Sequence, residues 1–150
     1  VTLNIILPLL SFPNLTHVEL RLNYGFHLTD TCVDWIAAAW PRVVDLALSQ
    51  PYETTRAIYP SPTIACLRAF ARHCSYLQRL EYGTDVPPLI DGSGKVPQEA
   101  LVILNVGASY TASPILRTVN FLSAIFPSLH TIRKYWSLGG RRLYSLVEEN

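Results

Sequence analysis

Five short stretches of this chain share one spacing of apolar residues, L-x-x-L-x-L, and that spacing limits the fold more than any other feature. The clearest is Phe12-Pro13-Asn14-Leu15-Thr16-His17-Val18-Glu19-Leu20. Its apolar positions Leu15/Val18/Leu20 return as Val43/Leu46/Leu48, Leu77/Leu80/Tyr82, Leu101/Leu104/Val106 and Leu129/Ile132/Lys134, with a polar residue only at the very last. The anchors that open each set stand at 15, 43, 77, 101 and 129, separations of 28, 34, 24 and 28 residues. Successive side chains of a strand point to opposite faces, so the second and third apolar residues of each set share one face and form a core row.

Strands repeated at this distance are parallel and need a crossover on one side of the sheet. The crossovers read as helices. Ten, seven and three residues before the anchor stand Val33, Ile36 and Trp40 in the second unit, Leu67, Phe70 and Cys74 in the third, and Val119, Leu122 and Phe126 in the fifth. That spacing is one face of a helix. Thr29-Asp30-Thr31 supplies an N-cap and Pro41 a stop, while Ser61-Pro62-Thr63 and Ser113-Pro114 set a capping Ser before a first-turn Pro. Repeats of this length and pattern predict an α/β leucine-rich-repeat solenoid, with about five parallel strands on a concave face and helices or extended segments on the convex face.

Two units depart from the pattern. In the first, Ile5 and Phe12 take the ten-before and three-before core positions, but Pro8 makes the helix short or irregular. In the fourth, the segment 86–99 holds three prolines and two glycines, which predicts an extended crossover without a helix. Arg141-Arg142-Leu143-Tyr144-Ser145-Leu146-Val147 reads as the start of one more convex helix. Eight residues past the anchors, Asn23, Asp85, Ser109 and Ser137 suit the turn out of the strand, and Pro51 marks a deformed one. The chain carries no Met and opens inside a repeat, so residues 1–150 read as one repeat domain and a fragment of a longer polypeptide.

Composition narrows the chemistry. A formal charge of +1, from 12 Lys+Arg and 11 Asp+Glu, gives no reason to expect nucleic acid or an anionic membrane as partner. Cys32, Cys66 and Cys74 are an odd number without paired spacing, which favours a reduced intracellular compartment, cytoplasm or nucleus. The apolar opening is interrupted by Pro8 and lacks a basic flank, so it reads as repeat rather than signal peptide. Gly92-Ser93-Gly94-Lys95 lacks the rest of a phosphate-binding loop, and His73, Cys74 and Cys66 lack zinc-site spacing. His17 and His130 have no neighbour that would orient a base and read as solvated polar residues; Asp34 reads as a cap, and Trp35 and Trp136 as packing residues. No enzyme, cofactor or metal is expected.

What remains is the strand face turned away from the core row, which carries His17/Glu19/Arg21, Asp45/Ala47/Ser49, Arg79/Glu81/Gly83, Ile103/Asn105/Gly107 and Thr131/Arg133/Tyr135. Its mixture of both charge signs with small residues suits a protein or peptide better than a polyanion. Glu19, Arg21, Asp45, Arg79, Glu81, Asn105, Arg133 and Tyr135 are the candidate contact residues.

The unit from Leu28 to Leu48, with Leu28-Thr29-Asp30 opening the helix and Trp40-Pro41-Arg42-Val43 leading into the strand, resembles the leucine-rich repeats of F-box proteins. Leu67 to Leu77 repeats it, with Cys74 at the family's Cys position. The resemblance covers most of 12–136, and the uneven repeat lengths look most like fungal members. It implies a substrate-recognition subunit of a Skp1–cullin–F-box ubiquitin ligase, its repeats holding the protein substrate. Skp1 would then be bound only through an F-box outside this chain. The alternative is a scaffolding or spacer segment of a longer repeat protein without a ligase role.

Overall fold

Each anchor set leads into a strand, which starts two residues past the anchor rather than at it, and the strands lie side by side in chain order. A computed structural model describes residues 3–21, 28–49, 62–82, 97–105, 115–138 and 141–147. Strands β1 (His17–Arg21), β2 (Asp45–Ser49), β3 (Arg79–Tyr82), β4 (Ile103–Asn105) and β5 (Thr131–Leu138) are parallel neighbours in one sheet, in chain order, with a sixth strand, β6 (Arg141–Val147), beyond β5. The register joins Val18, Leu46, Leu80, Leu104 and Ile132 into one row across all five. The class is α/β with a parallel sheet.

Just before each strand the units are tied by the same two-pronged bond. The carbonyl one residue past the anchor accepts from two successive N–H groups of the next unit: Thr16 from Val44 and Asp45, Val44 from Gln78 and Arg79, Gln78 from Val102 and Ile103, and Val102 from His130 and Thr131. This fixes the register that the hydrophobic row then fills.

The helices cover one face. Helix α2 (Asp30–Ala39) is capped by the Thr29 hydroxyl, which accepts from the Cys32 N–H, and its Val33 and Ile36 are buried, with Trp40 just beyond its end. A 3-10 turn (Ile64–Cys66) leads into α3 (Leu67–His73), burying Leu67 and Phe70, and α4 (Ile115–Ile125) buries Leu122 and Ile125. The Thr63 hydroxyl, accepting from the Ala65 N–H, caps the 3-10 turn in place of the expected Ser61, which with Ser113-Pro114 lies outside the described residues. These side chains form one core with Val43, Leu46, Leu48, Leu77, Leu80, Tyr82, Leu101 and Leu104.

Four expectations change. The segment Arg141–Val147 is not a helix but strand β6, antiparallel to β5 from Leu138↔Arg141 to Ile132↔Val147. Ser137 consequently lies inside β5, which continues to Leu138, and does not serve a turn. In the first unit the helix is one turn (α1, Leu3–Ile6) followed by a 3-10 segment (Leu7–Ser11) around Pro8. The frame shifts there: Ile6 is the buried residue, whereas Ile5 and Phe12 are exposed. Trp35, expected to pack, is also exposed. Of the fourth crossover, 83–96 lies outside the described residues, as do Asn23, Pro51, Asp85 and Ser109, and 97–100 forms no helix.

Candidate interaction face

Strand alternation turns the residues between the core positions to the sheet face opposite the helices. The register assembles them into two rows running across the strands. One is His17, Asp45, Arg79, Ile103 and Thr131; the other is Glu19, Ala47, Glu81, Asn105 and Arg133. Six of the eight candidate residues therefore share one surface by register, Glu19, Asp45, Arg79, Glu81, Asn105 and Arg133. Arg21 pairs with Ser49 at the end of β1, and Tyr135 with Tyr144 on the longer β5–β6 hairpin. Gly83 and Gly107 lie outside the described residues.

The face is partly self-neutralised. Arg79 reaches the Asp45 carboxylate on the neighbouring strand at 3.2 Å, and the Arg79 head remains largely exposed. The pair is a solvated cross-strand contact of small energy, so Arg79 can change partners cheaply. The His17 and His130 rings are exposed, and each shares a hydrogen bond with the adjacent threonine hydroxyl, Thr16 at 3.0 Å and Thr131 at 2.9 Å. Asn105 differs from the rest: it is 6% exposed, and its side-chain carbonyl oxygen has no hydrogen-bond partner among the described residues.

Behind the sheet, one position holds the units together, and sequence reasoning took it for a purely apolar one. In the second, third and fourth units the residue three before the anchor aims a donor at the main chain of the preceding unit. Trp40 Nε1 donates to the Leu9 carbonyl at 3.1 Å, and the Cys74 thiol to those of Ala37 and Trp40 at 3.4 and 3.6 Å. Gln98 Nε2 donates to the carbonyls of Cys74 and Leu77 at 3.0 and 2.9 Å. Trp, Cys and Gln share no hydropathy, but each carries a donor. Aligned on the anchors, a donor stands at this position in three of the five units, with Phe12 and Phe126 in the other two, so the sequence carries only part of that signal.

A second tie joins α2 to the turn before α3. The Asp30 carboxylate accepts from the Thr63 N–H at 2.6 Å and from its hydroxyl at 2.7 Å. Asp34 does not cap a helix; it faces His73 at 3.6 Å. The Cys66 thiol is pushed up by burial and then by the nearby Asp30 charge, and the Tyr82 hydroxyl is raised by burial beside Cys66 and Asp30. Burial alone pushes Cys74 up to about 12. All three cysteines are free thiols. Both buried ones are thereby held as neutral, inert thiols.

Among the described residues no cluster of His, Cys, Asp or Glu is arranged to hold a metal ion, and no helix is long and apolar enough to cross a membrane. Comparison with protein-family models, with curated proteins and with solved structures finds no match.

Proposed function

We propose that this chain is a leucine-rich-repeat solenoid that works by binding rather than catalysis, holding a protein partner against the sheet face turned away from its helices. The observation that carries this reading is the sheet register, which sets Glu19, Glu81, Asn105 and Arg133 in one polar row with Asp45 and Arg79 beside it. A row of both charge signs set by the strand register offers a partner orientation and specificity. The resemblance of 28–48 and 64–82 to F-box repeats supports the narrower reading of an intracellular substrate-recognition region of a Skp1–cullin–F-box ligase, with Skp1 bound through an F-box outside these residues.

The test is affinity purification of the polypeptide tagged in its own cells, compared with a variant carrying Arg79→Glu and Arg133→Glu. Co-purification of Skp1 and a cullin, with other proteins lost in the variant, is the expected result. Recovery of the same partners by both forms would remove the sheet face as the binding surface. Loss of the variant-sensitive partners without any Skp1 in the wild type would leave a recognition solenoid with no ligase role.

A further inference from the structure

On the reading that the sheet face binds a protein, the chemistry of one stretch of that partner can be specified. Asn105 and Gln98 are the two buried polar residues among those described, and they differ in one respect. Gln98 spends its amide on three main-chain groups, whereas the Asn105 side-chain oxygen has no partner among the described residues. An unmatched acceptor in a buried position is disfavoured until a donor reaches it. In the register Asn105 lies between Glu81 on β3 and Arg133 on β5, both half-buried. The order across the strands is carboxylate, amide oxygen, guanidinium.

We infer that the row Glu81–Asn105–Arg133 is a subsite for a polyproline-type peptide segment running across the strands, with a basic and an acidic residue three positions apart. Adjacent strands are about 4.8 Å apart, so Glu81 and Arg133, two strands apart, are separated by about 10 Å at the backbone. A polyproline helix repeats every three residues and rises about 3.1 Å per residue, placing side chains i and i+3 on one side about 9 Å apart. A β-strand does not match, because its same-side residues i, i+2 and i, i+4 are about 7 and 13 Å apart. The polyproline main chain makes no internal hydrogen bonds, so an N–H between the two charged residues is available to the Asn105 oxygen. The basic side chain lies over Glu81 and the acidic one over Arg133, with the main chain between them at Asn105.

The test is fluorescence anisotropy with the 150-residue chain and two labelled peptides of opposite polarity, Pro-Lys-Ala-Pro-Glu-Pro and Pro-Glu-Ala-Pro-Lys-Pro. Saturable binding of one over the other is expected. Asn105→Leu should weaken that binding about tenfold, the order expected for loss of one buried hydrogen bond. Glu81→Arg combined with Arg133→Glu, a surface change that leaves the core untouched, should reverse the preference between the peptides. No saturation by either peptide at millimolar concentration, or binding indifferent to Asn105→Leu and to the charge reversal, overturns the inference. If the peptides fail while Arg79→Glu with Arg133→Glu still strips partners in cells, the sheet-face reading stands and this peptide class is excluded.

Discussion

Gln98 does with its side chain what the other units do with main chain. In four units the anchor N–H donates to the carbonyl three residues back, Leu15 to Phe12, Val43 to Trp40, Leu77 to Cys74 and Leu129 to Phe126, at 3.1–3.3 Å. In the fourth, Leu101 donates at 2.8 Å to the Gln98 side-chain oxygen instead, while Gln98's own N–H donates to the Ile125 carbonyl at the end of α4. One amide therefore replaces the turn and closes carbonyls of the third unit. Gln98→Leu keeps the approximate volume but strips the Gln98 partner from the Leu77 carbonyl and the Leu101 N–H and one of two donors from the Cys74 carbonyl, so it should lower unfolding stability by about 2–4 kcal/mol in urea titrations. The buried thiols give a second expectation. Thiol-reactive dye should label Cys32 in the native protein, and Cys66 and Cys74 only once it unfolds. A thiol raised in the folded state contributes stability that is complete below its ordinary value and lost as pH rises toward the folded one. For Cys74 the unfolding free energy should thus begin to fall above pH 9.0 and continue falling to about 12.

At the scale of elements, the repeated apolar spacing made β1 to β5 and the faces of α2 and α3 legible, because position in the core row and hydrophobicity coincide there. Leu46, in the middle of that row and fully buried, should cost about 2–5 kcal/mol as Leu46→Ala. A loss well under 1 kcal/mol would contradict the register, since a slip by one residue would turn Leu46 to the opposite face. What was not legible lacked a repeating signal. The segment Arg141–Val147 contains apolar residues at both alternating and helical spacings, and only its pairing with β5 decides between them. In the first unit Pro8 breaks the helix, which displaces burial from Ile5 to Ile6. The candidate face was legible as a set of positions, because alternation fixes which residues share it; the Arg79–Asp45 pair and the buried oxygen of Asn105 depend on side-chain geometry that spacing does not contain. In the sequence Asp30 offers only a capping group, yet it bridges to Thr63 across 33 residues. A double-mutant cycle of Asp30→Ala and Thr63→Ala should give a coupling of about 1–3 kcal/mol, as for hydrogen bonds to a charged group between contacting residues.

Across the whole molecule the ties run almost entirely between neighbours: Trp40 to Leu9, Cys74 to Ala37 and Trp40, Asp30 to Thr63, and Gln98 to Cys74 and Leu77. Among the described residues one contact skips a unit. Arg68 of α3 lies over the Phe121 ring of α4, 5.2 Å from its centre, with the non-helical residues 97–100 between the two in sequence. The fourth unit brings no described helix to hold its neighbours, so on the helix side Gln98 and this cation–π contact supplement the β3–β4–β5 ladder and the shared core in joining the β1–β3 and β5–β6 parts. Stability built from nearest-neighbour terms separates where the weakest interface fails. Gln98→Leu combined with Arg68→Ala should therefore do more than lower stability. Hydrogen exchange should show β5 and β6 amides losing protection at lower urea than those of β1 to β3, whereas all strands open together in the unmodified chain. Coincident loss of protection in the double variant would mean that the parallel β3–β4–β5 ladder alone is enough to make the sheet a single cooperative unit.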